Sequence, residues 1–350
     1  MSAAQRTDSP PAETEFSKAL RPGGFFSEGW RVYLVTGLVL ATFLVLPFIP
    51  GIRFYYLQIV ILVFWYAMLG TAWGISGGYG GQHSVGNAAF VGVGAYSSTL
   101  LYVNFDISPW IGMFVGIALA GVLAVIIGYP TFRFGLRGDY VTLASLAVGL
   151  AVYEIAKGTP WLTKGSQGIP ISYNPDPWLF QFADRRGFYF VAMAMWILTL
   201  FISYRIRRSR LGYQILAVRD DEVAASRGGI SMLRSKLVAF VITAMITAAA
   251  GTFYAQFFQF IDPSAVIGLI LSIQIMIVAA LGGMGSFLGG TIGAMILVPI
   301  GELFKIQFSG ITGVDLIFYG LVLVFVMMYM PFGILGGLRK SPRWRKVIGW

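Results

Sequence analysis

Ten apolar runs, parted by short polar breaks, outline this chain: Val32 to Ile49, Tyr55 to Ile75, Val85 to Val103, Trp110 to Tyr129, Tyr140 to Ala156, Gly187 to Tyr204, Leu237 to Phe260, Ala265 to Leu281, Phe287 to Phe304 and Gly313 to Met330. A helix needs roughly 17 to 25 mostly apolar residues to cross a hydrocarbon core of about 30 Å, and several of these runs sit at the lower limit. The pattern predicts an all-α polytopic integral membrane protein with about ten transmembrane helices, some broken or re-entrant. Residues 1–31 read as a polar N-terminal tail of mixed charge, 32–330 as the membrane domain and 331–350 as a basic C-terminal tail.

The longest polar interruption, 205–236, organises the rest. It carries Arg205, Arg207, Arg208, Arg210, Arg219, Arg227, Arg234 and Lys236. Basic clusters beside a span remain on the cytoplasmic side. All but six of the 25 basic residues (Arg53, Lys157, Lys164, Arg185, Arg186 and Lys305) fall in segments which that rule places inside. Both termini are then cytoplasmic, and the Pro-, Gly- and Trp-rich stretch 158–187 is an external loop. That loop divides the runs five and five, and an odd number per half inverts the second half relative to the first. Within the basic island, Asp220 to Ser226 predicts a short helix with Asp220 as its cap. Asp221 and Glu222 suit its positive end, and Gly228-Gly229 stop it. A small rigid helix here is what a soluble partner needs in order to push on a membrane protein. A plain solvated loop that only sets topology would carry the same charges.

Composition narrows the class. Hydrophobic residues make up 57% of the chain and charged residues 11%, and the mean hydropathy is +0.75. A soluble domain of 350 residues has too few charges here to cover so much apolar side chain. Cysteine is absent, which excludes disulfides and thiolate metal sites, and a single histidine excludes a His-cluster site. The net charge of +10 belongs to topology, and no nucleic-acid partner is expected. The chain has no G-x-x-x-x-G-K-[ST] phosphate loop, no regular arginine series and no TVGYG-type filter. No catalytic residue, metal or cofactor is expected. Charges within the runs are few: Glu302 and Lys305 lie three apart, and Glu154 and Asp315 lie near run ends. An ion-coupled carrier usually places an ionisable group deep in the membrane, so this pattern argues for an energy source outside the chain.

One stretch does not suit a lipid-facing helix. Gly77 to Gly94 reads GGYGGQHSVGNAAFVGVG, and each glycine costs about 1 kcal/mol relative to alanine in a helix interior. Glycine lets backbones approach closely, and an interrupted helix at membrane depth is tolerated only where it is buried or lines a cavity. Val85 to Val103 therefore reads as a span entered through a broken start.

Five segments follow in order: GYGGQHSVGNAAFVGVGAY (Gly78 to Tyr96), LRGDYVTLASLA (Leu136 to Ala147), LTKGSQGI (Leu162 to Ile169), AVRDDEVAASRGGI (Ala217 to Ile230) and ALGGMGSFLGGTIGA (Ala280 to Ala294). Together they resemble the permease subunits of branched-chain amino acid ABC importers of the LivM type, from about Tyr55 to Met330. The resemblance implies an ABC importer permease fold in a bacterial or archaeal plasma membrane. It also implies a homologous LivH-type permease, two cytoplasmic ATP-binding subunits and an extracytoplasmic solute-binding protein as partners.

Glu222, Ala224, Ala225 and Gly228 resemble the EAA-x-x-x-G coupling signature, offset by one residue at its start. With Arg219, Asp220, Asp221 and Gly229 they form the expected ATPase-coupling set, Arg219 and the acidic residues fixing register at the rim. Gly80, Gly81, Gln82, His83, Ser84 and Asn87 form the expected translocation segment. Here the chain departs from the family, with His83 where leucine is common and Asn87 where histidine is common. Lys164, Ser166 and Gln167 are the expected docking point for the binding protein, Lys164 replacing a small residue. A branched-chain amino acid is the leading solute by resemblance, with urea, amides or small organic acids as the alternative carried by relatives. An ion-coupled carrier is the reading from another class, and a transport-free scaffold has no need of glycine-broken spans.

Overall fold

The structure, a computed structural model, describes residues 43, 47, 54–136, 138–308, 313–329 and 333–340. Its helices are α1 (Phe54–Trp73), α2 (Ala88–Phe105), α3 (Pro109–Arg133), α4 (Asp139–Gly158), α5 (Arg185–Arg208), α6 (Arg210–Asp220), α7 (Glu222–Arg227), α8 (Met232–Phe258), α9 (Leu269–Gly282), α10 (Gly289–Gln307), α11 (Val314–Tyr329) and α12 (Gly333–Lys340). Among the described residues, eight helices are long and apolar enough to cross a membrane: α1 to α5 and α8 to α10. The protein is a multi-pass membrane protein. The expected first span, Val32 to Ile49, and the N-terminal tail lie outside the described residues apart from isolated positions. The expected last span corresponds to α11. Part of the expected C-terminal tail forms α12.

The ends of these helices follow from local chemistry. Polar side chains accept hydrogen bonds from the free N–H groups of the first turn: Ser108 for α3, Asp184 for α5, Ser209 for α6, Asp221 for α7 and Ser231 for α8. Each such cap contributes about 1 kcal/mol. The expected broken start of the third span lies elsewhere. Helix α1 widens into a π-helical turn, Gly74–Tyr79, which ends where Gly81 takes φ +64°, and α2 starts cleanly at Ala88. The glycines thus end one span rather than interrupt the next.

Small residues let the central helices touch backbone to backbone. A Cβ added at Gly94 of α2 would sit 1.9 Å from the Ala248 carbonyl of α8, and one at Gly251 of α8 would sit 2.0 Å from that of Val91. At Gly290 of α10 the added atom would sit 2.2 Å from the Thr71 nitrogen of α1. Without water between them, packing and interhelical hydrogen bonds hold such helices together. Trp65 Nε1 donates to the Ala250 carbonyl (2.8 Å), Tyr66 to Gln274 (2.7 Å) and Trp196 to Thr291 (2.9 Å). Helix α1 is the most enclosed span, and Phe64 stacks on Trp196 of α5 at 5.1 Å.

The two ends of the bundle differ. One end, which we call the basic end, gathers the close of α1, the close of α5, α6, α7 and the 283–288 turn. The other is covered by 159–183, tied down where β1 (Ile169–Pro170) pairs antiparallel with β2 (Phe260–Ile261) and where Trp110 stacks on Phe180 at 4.0 Å.

Candidate functional site: the basic end of the bundle

The basic island folds as two short helices at an angle rather than one. Asp220 is the last residue of α6 instead of a cap. Asp221 is the cap of α7, accepting from Val223 N at 2.8 Å and Ala224 N at 3.0 Å. Those two bonds hold the Asp221 carboxyl below its ordinary pKa. Gly228 closes α7, and Gly229 follows at φ +79°, the left-handed backbone glycine takes freely. The outer face of α7 shows Val223, Ala224, Ser226 and Arg227, while Ala225 is turned inward. Glu222 points back toward the bundle, where Lys236 of α8 donates to it at 2.5 Å with both side chains mostly buried. That pair anchors α7 to a long spanning helix.

Arg219 points away from the rim where sequence reasoning placed it. It lies one turn after the buried Ile215 and beside the buried Val218, on the inward face of α6. Its Nη1 donates to the Gly78 carbonyl at 2.7 Å. Burial lowers its pKa, and Asp220 opposes that shift. The signal was available in the sequence, because residues 215 and 219 share one helix face.

Gly78 is crowded from the other side as well. A Cβ there would sit 1.7 Å from the Met284 carbonyl, so nothing larger than glycine fits between α1 and the 283–288 turn. Nearby, Tyr79 OH and Ser203 Oγ of α5 are 3.2 Å apart, and the Arg207 guanidinium lies 6.0 Å over the Tyr79 ring.

The expected translocation residues form one seam between α1 and α2. Gly80 N and Gln82 N donate to the Ile75 and Ser76 carbonyls, which closes the π-helical turn. The Ser84 carbonyl accepts from Trp73 Nε1 (2.8 Å), and the His83 carbonyl accepts from Thr142 Oγ1 of α4 (2.6 Å). Val85 N donates to Ser145 of α4 and Ala88 N to Ser272 of α9, both at 3.0 Å. Gln82 and Asn87 are buried at 2% and 0% exposure, and neither side-chain amide has a hydrogen-bond partner among the described residues. A buried amide left without a partner costs about 1–3 kcal/mol. The His83 ring is reached by solvent at the protein surface, 6.0 Å from the Trp73 ring. Partial burial first, then the Arg219 charge, lower its pKa, against a smaller upward pull from Asp139.

Lys164, Ser166 and Gln167 are exposed together at the opposite end, far from both other sets. Lys164 adopts φ +56° between Thr163, which bonds back to the Ala156 carbonyl, and Gly165. Sequence reasoning gave no role to Thr142, Ser145 and Ser272 and did not foresee the partners of Gly78 and Lys236, because these contacts come from far away in the chain. Among the described residues no three acidic or histidine side chains cluster.

Comparison with known proteins bears on the whole arrangement. Residues 55–327 match the sequence family described as "Branched-chain amino acid transport system / permease component". The chain belongs to that family. Its relatives include the "High-affinity branched-chain amino acid transport system permease protein LivM" of Escherichia coli K12, 29% identical across 87% of this chain and 75% of that protein. They also include LivH of the same organism, 28% identical across 77% and 91%. More distant is the "L-arabinose ABC transporter permease protein AraH" of Azospirillum brasilense, 25% identical across 58% of each. The solved structure "PsaBC from Streptococcus pneumoniae in complex with Fab" aligns over 88% of this chain and 99% of its own at TM-score 0.44 and 15% identity, too loose to carry an argument. Likeness to both LivM and LivH indicates a family in which permeases come in pairs. In this permease the closely packed Gly78, the seam and α7 all meet at one end.

Proposed function

We propose that this chain is one of two permease subunits of an ATP-driven, binding-protein-dependent importer of branched-chain amino acids. It sits in a bacterial or archaeal plasma membrane with the basic end in the cytoplasm. The observation that carries the reading is α7, a short capped helix with an exposed Val223 and Ala224, anchored to the spans by the Glu222–Lys236 pair. Small residues on such a tip let a soluble ATPase subunit approach closely, and Arg227 and Asp221 supply polar contacts at the rim. ATP binding and hydrolysis belong to those subunits. Their closure would move α7 as a rigid lever and swing the spans between outward and inward openings.

The seam of Gly80, Gly81, Gln82, His83, Ser84 and Asn87 is the inner closure of the pathway in this reading, and the buried amides of Gln82 and Asn87 would meet solute when it opens. The exposed face of α4 lines the pathway above it. At the far end, Lys164, Ser166 and Gln167 meet the solute-binding protein. No observation favours a urea, amide or organic-acid permease or an ion-coupled carrier. The test is leucine uptake into vesicles holding the complete complex, with and without ATP, alongside Ala224→Trp. Uptake that needs ATP and binding protein, and falls at least about tenfold in the variant, supports the reading. Uptake driven by an ion gradient and indifferent to Ala224→Trp would sink it.

A further inference from the structure

We propose that Arg219 is a positioning residue for transport, the tether through which movement of α6 and α7 reaches the inner end of α1. The inference rests on the importer reading and assigns Arg219 a place inside the machine rather than on the ATPase-docking rim. The last carbonyls of a helix have no partner within it. At the end of α1 the chain breaks at Gly81, and the Gly78 carbonyl is held instead by Arg219 at 2.7 Å. A guanidinium at a helix C-terminus is favourable for the helix dipole as well as for the hydrogen bond.

The tether has no slack. Gly78 is wedged against the Met284 carbonyl, and a Cβ at Gly81 would lie 3.0 Å from Arg219 Cγ. The 283–288 turn is held in its turn by α12, because a Cβ at Gly333 would lie 2.5 Å from Gly283. Displacement of α6 is therefore passed to α1, and from there to the turn between α9 and α10. The seam residues Gln82 to Asn87 follow directly on the tethered backbone, so the same movement opens or closes it.

A chain without cysteine makes the tether testable. A Cβ at Gly81 would sit 3.8 Å from the Arg219 Cβ, within the range of about 3.5–4.5 Å that a disulfide spans. In the full complex, Arg219→Ala is expected to retain the ATPase subunits and ATP hydrolysis while leucine uptake falls about tenfold, the loss of one charge-assisted bond. Gly81 takes φ +64°, so Gly81→Cys alone is the reference: the pair Gly81→Cys with Arg219→Cys is expected about tenfold below it when reduced, and to regain at least half of its uptake once oxidised. Uptake within twofold of wild type in Arg219→Ala overturns the proposal. So does loss of the ATPase subunits, which would return Arg219 to the docking rim, and so does a complete disulfide without recovery. If wild type carries no leucine, the importer reading fails on its own account. The tether is then read from the cross-link: equal yields with and without trapped nucleotide support it, and a drop of more than about fivefold on trapping overturns it.

Discussion

Helices α3 and α4 are neighbours in the chain, both largely uncovered by the rest of the protein, yet they expose different chemistry. Only 33% of the apolar stretch of α3 and 22% of that of α4 is buried. From Ile111 to Ile126 the uncovered face of α3 is apolar: Ile111, Phe114, Val115, Ala118, Leu119, Val122, Val125 and Ile126. Its covered face is a row of small residues, Gly112, Gly116, Ala120, Ala124 and Gly128. This is a helix with lipid on one side and tight backbone packing on the other. The uncovered face of α4 sets Tyr140, Leu143, Leu150 and Ile155 beside Ala147, Ala151 and Gly158 and the charged Asp139, Glu154 and Lys157, and α4 is among the least apolar of the spans although the most exposed. Lipid does not favour that combination. A face broken by small residues at Ala147 and Ala151 and by charge at Glu154 and Lys157 suits, in the proposed importer, a water-filled path shared with a second subunit. Its inner end also carries Thr142 and Ser145, which bond to the seam.

Substitutions can break or sharpen that contrast. The largest effect is expected from Gly116→Leu on the covered face of α3, where an added Cβ already lies 3.0 Å from the Gly94 Cα. Overpacking costs about 1–3 kcal/mol or more, so the amount of folded protein recovered from membranes should fall severalfold. Next is a matched pair of glutamates. Val122→Glu faces lipid, where a charge costs up to about 3 kcal/mol, and should lower the protein level. Leu150→Glu faces the path and should leave the level within twofold while changing uptake. Equal losses for the two would erase the distinction between the helices. Smaller is Glu154→Gln, expected in the proposed importer to raise the KM for a zwitterionic amino acid about two- to fivefold by removing one exposed charge at the end of α4 away from the basic end, with expression unchanged.

The smallest effect is expected at His83. Its pKa is lowered in the folded protein, so the neutral form is favoured there, and the stability this provides is present above about pH 6.5, the unfolded value. It is lost as pH falls through the lower folded value. His83→Asn should leave uptake within twofold at pH 7.5, and thermal stability should decline less than in wild type between pH 6.5 and 5. A large loss at neutral pH would mean that the ring itself contacts solute.

Much of the fold is legible in the apolar runs, because a membrane helix must satisfy its backbone internally and so leaves a long uninterrupted signature. The expected spans from Tyr55 onward reappear as helices with ends shifted by a few residues. The glycine-rich stretch was also visible, though as a broken start for α2 rather than the π-helical end of α1. Composition alone does not say which of two spans owns a break. Helix α7 was legible as a stop signal at Gly228-Gly229, and its cap moved by one residue because Asp221, not Asp220, takes the extended backbone that capping needs. Contacts between distant segments were not legible. The inward face of Arg219 was legible from its spacing to Ile215, but its partner was not: Lys236 reaching Glu222, Ser145 holding Val85 and Gly78 as the acceptor for Arg219 depend on how helices cross, which no local pattern records.

The most direct test of the contrast between α3 and α4 uses the cysteine-free background. Single cysteines at Ala147 and Ala151 on α4, and at Leu119 and Val122 on α3, would be exposed to a membrane-impermeant thiol reagent in the reconstituted complex, with and without trapped ATP. The account expects the α4 positions to react at least about tenfold faster than the α3 positions, since the thiolate forms in water and not in lipid. It also expects the α4 rates to change on trapping while the α3 rates remain low. Equal, slow rates at all four positions in both states would contradict it and place α4 against lipid like its neighbour.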